Sequence, residues 1–167
     1  MNEIVINIAK TYQDAVIIGN MLAKLWNDKI EKSDYDLIFR YINLFPKGHL
    51  IALRNSEPIA SSIAFTISIK PSINEFSSKH PYDFFSDNGK FYYIHVIQVL
   101  PEFRNIGIGT KILNRQIIAA REKGCDYVTG FSVDKELYRW EKKGFISIGE
   151  FGEYKNFGRV KWIEMRL

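Results

Sequence analysis

Residues 91–100 (FYYIHVIQVL) constrain this chain more than any other stretch. They are nearly all apolar, with only His95 and Gln98 interrupting. Their length and aromatic and β-branched content select a strand over a helix, and a strand apolar on both faces must be covered on both sides. The run therefore belongs in the middle of a sheet. Pro101 to Asn105 then reads as a turn, and a helix is expected from about Gly107 to Lys123. Its Ile112, Leu113, Ile117 and Ala120 share one arc, broken by Gln116, and Gly124 supplies the stop.

The remaining elements follow from period and punctuation. Ile4 to Ile8 is a short β-branched strand, and Thr11-x-x-Asp14 opens a helix with Ile17, Met21, Leu22 and Leu25 on one face, fading near Asn27-Asp28. Ser33-x-x-Asp36 is expected to open a second helix, striped by Leu37, Ile38, Tyr41, Ile42 and Phe45 and ended by Pro46 and Gly48. Leu50–Leu53 and Ile59–Ile69, joined by Arg54-Asn55-Ser56-Glu57, form a hairpin. Pro71 to Gly89 lacks clear periodicity and reads as a long irregular loop, whose Phe76, Tyr82, Phe84 and Phe85 either line a pocket or pack over the sheet. Tyr127–Val133 is a strand, Asp134 caps a short helix through Lys143 that Gly144 ends, and Phe145–Phe151 and Arg159–Leu167 are closing strands. Hairpins mixed with crossovers give an α/β domain on a mixed sheet.

Composition sets the remaining bounds. A chain of 167 residues with 46% hydrophobic and 25% charged content suits one globular domain, spanning 1–167, that needs neither a disulfide nor a metal to fold. Cys125 is the only cysteine, which excludes an internal disulfide and a CxxC zinc site. His49 and His80 have no paired ligand spacing, so no metal site is expected. Met1-Asn2-Glu3 is not a basic leader and no apolar run approaches the roughly 18 residues of a membrane span, so a cytoplasmic protein without a membrane partner is expected. The net charge of +4 is spread along the chain, which supports nucleic acid only weakly, suits a small anionic partner equally well and most often marks a solvated surface, so no nucleic-acid partner is expected.

Chemistry concentrates in Val99-Leu100-Pro101-Glu102-Phe103-Arg104-Asn105-Ile106-Gly107-Ile108-Gly109-Thr110, where a buried strand breaks into a glycine-containing turn that opens a helix. Backbone N–H groups at a helix N-terminus lack partners and sit at the positive end of the dipole, so such a turn can cradle a diphosphate. Gly107 and Gly109 permit close approach, and Thr110 adds a hydroxyl. Neither GxGxxG nor GxxxxGK[ST] is present, which excludes the dinucleotide fingerprint and the Walker A loop.

Arg104-x-x-Gly107-x-Gly109, preceded by Val-x-Pro-Glu, closely resembles the acyl-CoA-binding motif of the GNAT superfamily of N-acyltransferases. Element order over nearly the whole chain agrees, and Gly144-Phe145 resembles the family's terminal Gly-Phe. The resemblance implies a mixed, mostly antiparallel twisted sheet flanked by helices on both faces. It implies an acetyl-CoA-dependent N-acetyltransferase acting on a primary amine of a small molecule or peptide, as a monomer or homodimer.

Residue by residue, the resemblance implies that backbone N–H groups of Asn105, Ile106, Gly107, Ile108, Gly109 and Thr110 hold the CoA pyrophosphate, with Arg104 at the first motif position. Ile97, Gln98 and Val99 pair with the pantetheine arm, and the Val99 N–H meets the carbonyl oxygen as it gains charge. Asp134 stands near a position where the family often has Asn. Trp140 replaces the Tyr that many relatives use as acid, which leaves Tyr138 as the substitute donor. Tyr93 stands where several relatives carry a Glu base; His95, two residues on and on the same strand face, is the expected base, with Tyr93 or water as the other carriers. The missing acid at Trp140 keeps open an alternative: a CoA-binding module without efficient catalysis.

Overall fold

The computed structural model describes residues 3–27, 29–154 and 157–167. Its seven strands lie in the order β1-β2-β3-β4-β5-β7-β6: β1 (Ile4–Ile8), β2 (His49–Arg54), β3 (Glu57–Ile67), β4 (Phe91–Val99), β5 (Tyr127–Val133), β6 (Ile146–Glu153) and β7 (Arg159–Arg166). The helices are α1 (Tyr12–Trp26), α2 (Lys32–Leu44), α3 (Ile73–Ser78), α4 (Ile108–Lys123) and α5 (Leu137–Glu141). The chain divides into two compact units, residues 1–64 with 96–119 and residues 65–95 with 120–167.

In the first unit the local signals act as the sequence leads one to expect. Thr11 Oγ1 accepts from the Asp14 N–H at 3.1 Å and Asp14 Oδ2 accepts from the Thr11 N–H at 2.8 Å, closing a capping box. Asn27, left-handed at φ 49°, terminates α1; Asp28 lies outside the described residues. The second helix starts earlier than Ser33, because the Glu31 N–H donates to Asp34 Oδ2 at 2.8 Å and fixes the first turn there. Asn55 (φ 52°) and Ser56 (φ 68°) are both left-handed, as the two-residue β2–β3 hairpin turn requires.

Successive β3 residues point to opposite faces, so Ser61 and Ser62 show what covers each side. Ser61 Oγ accepts from Gln98 Nε2 at 2.5 Å, and the same nitrogen donates to the Ile18 carbonyl of α1 at 3.4 Å. Ser62 Oγ accepts at 2.6 Å from Gln116 Nε2 of α4. Helices therefore lie on both faces. Gln116, expected to interrupt the buried arc of α4, is fully buried on it and also donates to the Gly48 carbonyl at 3.1 Å. The core beneath α4 joins Ile108 and Ile112 to Ile6, Leu50, Ala52 and Ala60.

In the second unit β5 pairs with β7 antiparallel from Tyr127 to Val133, and β4 pairs with β5 in parallel, Phe91–Ile94 against Tyr127–Gly130. The segment from Pro71 to Gly89 is not the irregular loop expected. Ser72 Oγ accepts from the Glu75 N–H at 3.1 Å and starts α3, and Pro81–Phe84 forms a 3-10 turn. Phe76 of α3 is fully buried and packs on Phe84, Tyr93, Phe131 and Trp162 at centroid distances of 4.7 to 6.0 Å. The expected Asp134 cap is absent: Asp134–Glu136 is a 3-10 turn without a side-chain cap, leading into α5.

Candidate functional site

The β4–β5 ladder occupies the first four of the nine β4 residues, so Ile97, Gln98 and Val99 lie beyond its end at Ile94. Ile97 and Val99 pack against the cluster that holds Ile108 and Ile112. Gln98 points the other way, only 4% exposed, with its Nε2 shared between Ser61 and the Ile18 carbonyl and its Oε1 buried without a hydrogen-bond partner. Its alternation with two apolar neighbours fixes this strand end between α1 and α4.

The turn that follows is tied to the same strand. The Leu100 N–H donates to the Ile59 carbonyl at 3.0 Å, a 3-10 turn covers Pro101–Phe103, and Arg104 Nε donates back to the Val99 carbonyl at 3.1 Å. Phe103 carries the Arg54 guanidinium over its ring at 5.6 Å. Asn105 and Gly107 adopt φ of 65° and 84°, and the Gly107 carbonyl accepts the first α4 hydrogen bond from Lys111 N at 3.0 Å. A Cβ on Gly107 would meet nothing within 4 Å, so this turn is open to an approaching group. Residues 104–107 are exposed, whereas Ile108 is buried and anchors the helix start.

Electrostatics distinguish this helix start from those of α1, α2 and α3, although the five-residue α5 likewise has no acid in its first turn. The N-termini of α1, α2 and α3 each carry an acid in the first turn, namely Asp14, Asp34 and Glu75, which compensates the dipole. The first turn of α4 carries none; Lys111 stands there instead. No carboxylate in that turn offsets the positive end of the helix dipole.

Of the three side chains expected to move protons, the structure brings two together. Tyr93 Oη and His95 Nδ1 are 3.3 Å apart. Tyr93 is 1% exposed among Phe65, Phe76, Phe131 and Trp162, and burial pushes its phenol well above the ordinary tyrosine range. Tyr138 is separate on α5, 49% exposed, its Oη accepting from Arg139 Nε at 2.9 Å. Trp140 packs edge-on against Phe145. His49 is buried, with Nδ1–H donating to the Phe45 carbonyl at 3.1 Å, and His80 Nδ1 accepts from the Tyr82 N–H.

Sequence reasoning missed the Gln98–Ser61 and Gln116–Ser62 pairs. A polar residue in each apolar run and the Ser-Ser step in β3 were the available signals. Among the described residues, no three His, Cys, Asp or Glu side chains gather as a metal-holding group, and no helix is long and apolar enough to cross a membrane.

No curated protein matches the chain. Solved structures do. A chain of the NatC complex bound to Gag peptide and CoA superposes with a TM-score of 0.72 at 20% identity, covering 99% of each chain. The GphF GNAT-like decarboxylase in complex with isobutyryl-CoA gives 0.73 at 18% identity, over 97% of this chain and 98% of that one. Naa50 of Arabidopsis thaliana, in complex with the bisubstrate analogue CoA-Ac-MVNAL, gives 0.70 at 11% identity, over 98% and 99%. These likenesses establish a shared fold. The sequence model of the acetyltransferase (GNAT) family matches residues 18–145, which contain the strand end, the turn and all of α4, and the chain belongs to that family.

Proposed function

We propose that this protein, as a single domain, transfers an acetyl group from acetyl-CoA directly to a primary amine of a small molecule or peptide. The observation that carries the reading is the α4 N-terminus: an open, left-handed Gly107, no acid in the first turn, and Arg104 and Lys111 nearby in the sequence. That donor set fits the diphosphate of a CoA thioester. Two of the similar structures hold CoA or a CoA analogue with a peptide, which supports an amine acceptor, and the Ac group of the bisubstrate analogue supports an acetyl donor.

On this reading the backbone N–H groups of residues 105–110 hold the pyrophosphate, with Arg104 adding charge while it steadies the Val99 carbonyl. The backbone of Ile97, Gln98 and Val99 lies along the pantetheine arm, and the Val99 N–H faces the oxygen that gains charge. Acetyl-CoA, when bound, supplies an acyl group activated as a thioester. Tyr138 is the assigned donor to the departing thiolate: Arg139 donates to its oxygen, which leaves the phenolic proton to be given. His95 is assigned to the reacting atoms with Tyr93 behind it, and burial holds Tyr93 as the neutral phenol. A cytoplasmic setting, a monomer or homodimer, and the absence of metal or nucleic acid from the reaction complete the proposal.

The test offers acetyl-CoA with polyamines, aminoglycosides, amino acids and peptides, and measures free thiol. Release that depends on the added amine is the expected result. If the folded protein binds acetyl-CoA yet releases no thiol with any amine, the second reading, a CoA-binding module, takes over. Trp140 at the acid position favours that reading.

A further inference from the structure

We infer that the side chain of Gln98 is a positioning group: its amide ties the end of β4 to β3 and α1, and so holds the Val99 N–H at the angle that meets the reacting carbonyl. The clamp is read from geometry alone, whereas its effect on rate rests on the acetyl transfer proposed above. Gln98 Nε2 donates to Ser61 Oγ of β3 at 2.5 Å and to the Ile18 carbonyl of α1 at 3.4 Å, and all three residues are buried. Two residues further along the chain, and two back along β3, the Leu100 N–H donates to the Ile59 carbonyl at 3.0 Å, which is the step of an antiparallel pair.

Backbone groups of successive strand residues point to opposite sides. With the Leu100 N–H directed at β3, the Val99 carbonyl and, by the same alternation, the Val99 N–H are directed away from β3; Arg104 Nε meets that carbonyl there. The ladder to β5 ends at Ile94, short of Val99. The strand end therefore leans on β3, and its side chains must set its tilt. Ile97 and Val99 pack toward Ile108 and Ile112 on one face. On the other face, Gln98 grips two elements at once.

Stability does not explain the choice of glutamine. Gln98 Oε1 is buried without a hydrogen-bond partner among the described residues, and one buried bond left unmade costs about as much as the two bonds of Nε2 return. An apolar side chain of that length would fill the site without the orphaned oxygen. What glutamine adds is direction. Apolar contacts tolerate sliding, whereas hydrogen bonds to Ser61 and Ile18 fix both the register and the tilt of the strand end. Misplacement of reacting groups by about 1 Å can cost about 10²-fold in rate.

The test combines hydrogen exchange with kinetics on the whole chain. Gln98→Met keeps the length and removes the clamp, and Ser61→Ala takes away one of its acceptors. In Gln98→Met the Leu100 amide should exchange about tenfold faster or more, with the Arg115 amide of α4 and the urea midpoint close to the parent's. In amine-dependent thiol release, kcat per folded molecule should fall by about tenfold or more, while the calorimetric affinity for acetyl-CoA stays within about twofold of the parent's. Ser61→Ala should show both effects in smaller degree, and it decides the matter if Gln98→Met does not fold. Parent-like exchange at Leu100, or a parent-like kcat per folded molecule whatever KM does, overturns the inference. If the parent itself releases no thiol with any amine, the acetyl-transfer reading fails, and Leu100 exchange alone judges the clamp.

Discussion

Gly109 and Gly107 look alike in the sequence but differ in what a side chain would do there. Gly107 is left-handed at φ 84°, so any replacement strains the backbone, whereas a Cβ on Gly109 would meet only Val99 Cγ2 at an ordinary 3.8 Å. Gly109→Asp therefore isolates the electrostatic effect. It should leave thermal unfolding near the parent's while calorimetric affinity for acetyl-CoA falls by about 100-fold or more, because a carboxylate takes the place of the anion; unchanged affinity would remove the basis for the cradle. His49 yields a second prediction at this scale. Burial pushes its imidazole down to about 4 from the ordinary 6.5, outweighing the Phe45 carbonyl. Between those values the unfolded chain binds a proton that the folded one does not. Stability should therefore fall as pH drops from 6.5 toward 4, by about 3 kcal/mol in total. Urea midpoints across that window check the slope, and His49→Gln should flatten it. The turn that opens α4 was legible because its residues are contiguous, and the Tyr93–His95 pair because alternate strand residues share a face. The Gln98–Ser61 pair, 37 residues apart, depends on which strands become neighbours.

At the scale of elements, β4 and α4 were readable because each carries a strong local signal: an apolar run for the strand, an apolar arc with a glycine stop for the helix. The six-residue α3 carries only two buried residues, Ile73 and Phe76, and an otherwise polar sequence. Packing of Phe76 into an aromatic cluster holds it, although Ser72-x-x-Glu75 was a cap signal open to reading. Gln116 shows the opposite failure. In the sequence it breaks the arc, because its partners, Gly48 and Ser62, are 68 and 54 residues away. Gln116→Leu should destabilise the protein by about 1–3 kcal/mol in urea unfolding, since the Gly48 carbonyl and Ser62 hydroxyl lose their buried donor. Ile118→Gln, on the exposed side of the same helix, should change stability by less than about 0.5 kcal/mol and serves as the comparison.

For the whole molecule, membership of the acetyltransferase family leaves two kinetic routes, direct transfer and a covalent acyl-enzyme, and the position of the only cysteine separates them. Cys125 is buried, with Sγ 3.7 Å from the Gly89 carbonyl, and burial pushes its thiol up despite Lys123 and Lys90. A nucleophilic thiol needs the opposite surroundings, exposed and held as thiolate. Initial rates with acetyl-CoA and amine both varied should therefore give intersecting double-reciprocal lines, the pattern of a ternary complex. Cys125→Ala should keep kcat within about twofold of the parent, provided the folded fraction is equal, because the thiol contributes packing and no chemistry. Parallel lines, or an acetyl group found on Cys125 by mass spectrometry after incubation with acetyl-CoA alone, would establish the covalent route and overturn the reacting centre proposed at the strand end.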